Sequence, residues 1–200
     1  MRHNDFAEYL NEETKVSQLV TIIRKECAQW ARNPVMLYRA KSITIKHWAK
    51  IKSHITDRRP LTSSPDLHNT LNKMFVKKFG WPVRNGVFCY SRSTFLGYGD
   101  VYIFIPAGNF KFVWSPEVSD LFTVLPVSDP KEYPQWAEMD YKKYLAKHIE
   151  KFEKNILDTY TDKGLQMAAK TSSEISINCK EYFLINQWYE PIIKANFNIE

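Results

Sequence analysis

Residues 86–122 read GVFCYSRSTFLGYGDVYIFIPAGNFKFVWSPEVSDLF, two apolar, aromatic-rich segments separated by a polar break. Residues 86–90 and 101–105 consist largely of β-branched and aromatic side chains, which suit a pleated, half-buried surface, so both are predicted strands. Between them run Ser91, Arg92, Ser93 and Thr94, then Gly97, Tyr98 and Gly99. A two-residue hairpin would carry Asn-Gly or Asp-Gly at that point. This connection is longer, rich in hydroxyls and holds an arginine. It reads either as a solvated loop whose hydroxyls cap the backbone or as the lining of a pocket at a sheet edge.

Downstream, residues 110–114 form a further strand pattern. Ser115, Pro116 and Glu117 follow as N-cap, first-turn proline and acidic first turn of a short helix through Phe122. Residues 126–134 hold three prolines and read as a linker. Residues 135–157 predict a long helix with Trp136, Met139, Tyr144, Leu145, Ile149, Phe152 and Ile156 inward. Its lysines alternate with Glu138, Asp140, Glu150 and Glu153, the pattern of a solvated face with i,i+4 pairs rather than a phosphate-binding stripe. Residues 172–177 open a strand, Lys180 and Glu181 make a turn, and residues 182–185 are read as the partner strand of a hairpin. The aromatic tail from Trp188 is expected to pack back on the body.

Upstream, residues 5–32 predict a helix, because Val16, Leu19, Val20, Ile23, Cys27 and Trp30 recur at three- and four-residue steps. Asn33 and Pro34 stop it. Residues 35–40 read as a short buried strand with Arg39 near its end. Arginine is almost never fully buried unless paired, so Arg39 should meet a carboxylate or a bound anion. Residues 43–55 mix strand and helix signals. Ser64 and Pro65 start a helix as N-cap and first helical residue, with Leu67, Leu71, Met74, Phe75 and Phe79 buried and Gly80 as its left-handed cap. His68, Asn69 and Asn72 are placed on its polar or flanking faces.

At 200 residues, one domain with one core is the expectation: an N-terminal helical segment (1–33), a core (34–187) and a tail (188–200). A net charge of +6 favours an anionic partner such as a nucleotide, a nucleic acid or an acidic protein face. Six glycines are too few for glycine-rich phosphate loops. Cys27, Cys89 and Cys179 sit singly in apolar patterns, as small buried hydrophobes, and give neither a zinc spacing nor a disulfide framework. With no leader-like apolar run and no stretch long enough to span a bilayer, the sequence reads as soluble and cytoplasmic, with no membrane and no metal.

The order is helix, strand with Arg39, capped helix, strands with a serine-rich break, long helix, then a strand opened by Glu174. That is an α+β layout. These residues resemble the ADP-ribosyltransferase fold in its arginine–serine–glutamate branch, across roughly residues 35–185. Leu37, Tyr38, Arg39 and Ala40 resemble its first-strand Leu-Tyr-Arg-Gly motif. Phe88 to Ser93 (FCYSRS) resemble its Phe-x-Ser-Thr-Ser strand. Ser172, Ser173, Glu174 and Ile175 fall where the family places its Glu-x-Glu or Gln-x-Glu turn. The run Trp-Ser-Pro-x-x-x-Asp-Leu at 114–121 resembles a group of phage proteins.

The resemblance implies a split, mixed or antiparallel sheet core flanked by helices, and NAD as substrate. Arg39 would hold the pyrophosphate or the nicotinamide-side ribose through its planar fork of donors. Glu174 would bond the ribose 2′-hydroxyl, and Ser91 would brace Glu174 and that ribose; these two are the implied catalytic residues. Tyr38, Ser93 and Tyr98 join Arg39 as implied NAD-binding residues. Tyr98 or Phe95 would stack on nicotinamide, with plain core packing as the other reading. Two departures stand out: Arg92 replaces the middle threonine, and Ser172 replaces the upstream acid that helps choose the acceptor. The implied activity is transfer of ADP-ribose to a macromolecule, a host protein or nucleic acid. The alternative is a non-catalytic binding or inhibitor module on the same fold.

Overall fold

The computed structural model describes residues 3–56, 65–92, 99–124, 143, 146–147 and 149–199. The N-terminal helical stretch is divided, α1 spanning His3–Glu26 and α2 spanning Ala28–Arg32. The break falls where the Glu26 carbonyl accepts from Gly108 N at 2.7 Å instead of continuing the helical ladder. The predicted stripe holds across the break: Leu19, Val20, Ile23, Cys27 and Trp30 are buried, and Val16 packs against them.

Among the described residues, seven strands form two antiparallel sheets. The larger comprises β1 (Tyr38–Lys41), β4 (Asp100–Ala107), β7 (Glu181–Asn186) and β2 (Trp48–Lys52), in the order β1-β4-β7-β2. The smaller comprises β3 (Val87–Cys89), β6 (Ile175–Asn178) and β5 (Lys111–Trp114), in the order β3-β6-β5. Every strand pair is antiparallel. With helices on the flanks, this is the expected α+β class.

One connection corrects the sequence reading. Residues 172–177 and 182–185 do not form a hairpin: β6 pairs with β3 and β5, whereas β7 pairs with β4 and β2. Ile175, Ser176 and Ile177 are all buried, as are Tyr182 to Ile185. A strand buried on both faces gains most as the central strand of a sheet, so each takes the middle of a different one. Likewise β3 and β4, which flank the polar break, belong to different sheets. Pro106 within β4 is tolerated because β1 pairs only as far as Ile103, leaving that side of β4 without a ladder at position 106.

One face of the larger sheet is tied to helices. Lys50 of β2 bonds Glu26 of α1 and Glu181 of β7, both at 2.7 Å. The C-terminal helix Glu190–Phe197 buries Ile193 and Phe197, with the Phe197 ring 5.1 Å from Trp30. The tail therefore packs back on the body as expected, while Trp188 just before it is 81% exposed.

A second, smaller core lies between the β3-β6-β5 sheet and α3 (Pro65–Phe79). Leu67, Leu71 and Phe75 of α3 meet Val113 of β5, Trp81, Val83, Leu121 and Phe152. Gly80 closes α3 at φ +75°, as its left-handed cap, donating to the Val76 carbonyl at 2.9 Å. Ser64, the predicted N-cap, lies outside the described residues, as do the 126–134 linker and residues 135–142, 144–145 and 148 of the predicted 135–157 helix. That helix ends in a widened turn at Phe152–Ile156 and a 3-10 turn at Leu157–Thr159, and its Lys154–Glu150 pair has the expected i,i+4 form.

The two sheets share the larger core, and a backbone bridge joins them among the described residues. Tyr38 N donates to Tyr90 O at 2.7 Å and Tyr90 N to Tyr38 O at 2.9 Å. Beyond this bridge β1 continues along β4 and β3 along β6, so the backbone forks.

Candidate functional site

The fork holds Arg39. One residue past the bridge on β1, its guanidinium Nη1 donates to the Phe88 carbonyl of β3 at 2.6 Å. Alternation along β3 aims that carbonyl, like Tyr90's, toward the β1 side, where no strand continues to meet it. Arg39 fills the gap. Its Nε is buried without a hydrogen-bond partner, and no carboxylate among the described residues pairs with it. Its charge reaches the thiols of Cys89 and Cys179, opposing the larger upward push that burial gives both. Lys41, two residues on and so on the same face, is pushed below its ordinary value by desolvation first and then by Arg39.

Glu174 sits one residue before Ile175, which is registered against Cys89. Its backbone N–H bonds the Ser119 carbonyl at 2.7 Å, fixing the approach to β6. One carboxylate oxygen accepts from Arg84 Nη1 at 3.0 Å, and the other from the Tyr90 hydroxyl at 3.3 Å. The Arg84 and Glu174 side chains are only 8% and 14% exposed. Arg84 also lies over the Phe88 ring, 4.5 Å from its centre. The Tyr90 phenol is pushed well above its ordinary range by burial first, then by the negative charges of Glu174 and Asp120, so at neutral pH it remains a donor. Tyr160 is raised in the same way, by burial first and then Glu174, with Arg84 opposing.

Arg39, Ser91 and Glu174 thus meet at one end of β3 but not on one face. Alternation puts Arg39 on the Cys89 side and Glu174 on the Tyr90 side of that strand. Ser91 makes no bond to Glu174; its hydroxyl donates to the Thr171 carbonyl. The hydroxyl that braces Glu174 belongs to Tyr90. Tyr38, the residue before Arg39, faces away from it and is buried, its phenol pushed well above its ordinary range by burial first and then by Glu190. Ser93, Phe95 and Tyr98 lie outside the described residues.

The sequence reading missed Arg84. It stands in a 3-10 turn, Val83–Asn85, with nothing in its neighbours to announce a buried charge. The turn is held by α3: Asn72 Oδ1 accepts from Arg84 N at 2.9 Å, and Asn72 and His68 both bond the Asn85 side chain at 2.9 Å. His68 and Asn72, expected on polar faces, are therefore buried at 6% and 8% exposure, because the turn supplies their partners.

No family model matches the chain, and no curated protein or solved structure matches it. Among the described residues, no helix is long and apolar enough to cross a membrane, and no three His, Cys, Asp or Glu side chains are grouped to hold a metal ion.

Proposed function

We propose that the protein binds NAD at the fork between its two sheets and cleaves it as an ADP-ribosyltransferase-like enzyme of the cytoplasm, passing ADP-ribose to a macromolecule. The observation that carries the reading is Arg39: a half-buried guanidinium with one carbonyl contact, a bare Nε–H and no carboxylate among the described residues. A cation so placed is costly unless an anion joins it, and a planar fork of donors suits a pyrophosphate.

Glu174 supports the chemistry. In this reading a ribose 2′-hydroxyl bonds the Glu174 carboxylate, which Arg84 and Tyr90 already hold by hydrogen bonds. As the nicotinamide–ribose bond breaks, nicotinamide leaves with the bonding pair and positive charge grows on the sugar. A preset carboxylate lowers that barrier. The acceptor oxygen or nitrogen then bonds the anomeric carbon and releases its proton to water.

The test is a binding titration and a nicotinamide-release assay. NAD should bind saturably, Arg39→Met should weaken binding at least about tenfold, and Glu174→Gln should leave binding in place while abolishing release, a loss on the order of 10²-fold or more. Absence of NAD binding overturns the reading. Binding without release favours the second reading, a non-catalytic module that captures a nucleotide, nucleic acid or host protein. The approach of Arg39 and Glu174 to opposite faces of β3 is the observation in its favour.

A further inference from the structure

We infer that Arg84 is a positioning residue for the reaction, holding the Glu174 carboxylate in one orientation; the inference rests on the reading above. The pair is a 3.0 Å contact between two nearly buried charges. Its cation does not hang on a flexible stem from an open surface. The backbone of Arg84 is tied to Asn72 of α3, its guanidinium lies over Phe88, and the turn after it is bonded by His68 and Asn72.

Tyr90 meets the second carboxylate oxygen, so Glu174 is held from two directions, by a charge from the α3 side and by a phenol from β3. A side chain held at both oxygens keeps its rotamer when substrate arrives. A reacting carboxylate must be set within a fraction of an ångström to exert its effect. The charged groups bearing on this cluster include Glu174, Arg84 and Asp120, the last acting with Glu174 on both Tyr90 and Tyr160. Arg84 is the one cation among those three. A cation this close to a carboxylate favours its ionised form. A purely structural ion pair would affect folding and leave the properties of the reacting carboxylate unchanged in the folded fraction.

The experiment compares Arg84→Met and Arg84→Lys with the parent protein, using NAD as the probe and correcting every rate for folded protein. With Arg84→Met, kcat for nicotinamide release should fall about a hundredfold with KM changed less than about threefold, and the acid limb of the kcat–pH profile should move to higher pH. Arg84→Lys should recover most of kcat and the parent profile. If Arg84→Met fails to fold, Arg84→Gln, which keeps a donor but no charge, serves in its place.

A kcat per folded molecule within about twofold of the parent, or an unshifted acid limb, overturns the inference. A second readout needs no turnover: in crystals of Arg84→Met, Glu174 should leave the Tyr90 hydroxyl, and in Arg84→Lys it should stay. A parent protein inactive toward NAD sinks the proposed reaction, whereas Glu174 unmoved in Arg84→Met crystals sinks the positioning role by itself.

Discussion

Burial controls the reactive side chains of this protein residue by residue. The Cys27 and Cys179 thiols are pushed up to about 12, chiefly by desolvation, and Cys89 is raised further for the same reason. A raised thiol pKa means the protonated, unreactive form at pH 8. All three should therefore resist Ellman's reagent in the native protein and react together once it is unfolded in guanidinium; rapid reaction of any one in native conditions contradicts its placement. At Glu174 the expected outcome is different in kind. Tyr90→Phe removes one donor from a carboxylate that is still partly wet, so it should cost about 1–2 kcal/mol in a urea melt and lower kcat while leaving NAD affinity near the parent value. Ser91→Ala should leave kcat close to the parent, because that hydroxyl serves the Thr171 carbonyl.

At the scale of elements, α3 does two jobs. Its apolar side supplies the second core, where Phe75 is wholly buried against Phe152 and Tyr160, with ring centres 5.8 and 5.2 Å away. Phe75→Ala should cost about 3–5 kcal/mol, read as a lower denaturation midpoint. Its other buried residues, His68 and Asn72, hold the turn that carries Arg84, so the packing of one helix and the aim of Glu174 are linked. Gly99, at φ +81°, closes the polar break against β1: a Cβ there would lie 2.7 Å from the Lys41 carbonyl carbon. Gly99→Ala should lower the melting temperature through both strain and backbone clash.

At the scale of the whole molecule, Lys50 ties α1 to the larger sheet. Glu181 lies below its ordinary value of 4.5, first because of its hydrogen bond to Lys50. A carboxylate held low in the folded state stabilises it above the unfolded pKa and loses that contribution as pH falls through the folded value. The parent protein should therefore lose stability on acidification below about pH 4.5 more steeply than Lys50→Met does. Equal slopes in thermal melts across that range would show that the pair contributes nothing.

Much of the local structure was legible in the chain. The α1–α2 stripe, the helix from Pro65 to Gly80, the strand cores and the three buried cysteines follow from periodicity, caps and side-chain polarity, which act over a few residues. Strand partners were not legible, because β6 and β7 are buried on both faces and such runs carry no mark of which neighbour they join. The site was half legible. Arg39 was marked by its charge in an apolar run, and Glu174 only by the family resemblance. The partner of Glu174, Arg84, and the hydroxyl that braces it, Tyr90's rather than Ser91's, depend on the register of β3 against β6 and on the docking of α3. Sequence by itself determined many of the helical and strand segments and that Arg39 needed a partner. Tertiary structure alone decided who the partners are, because burial and hydrogen bonding are satisfied between residues far apart in the chain, 90 positions for Arg84 and Glu174, at separations that no local pattern encodes.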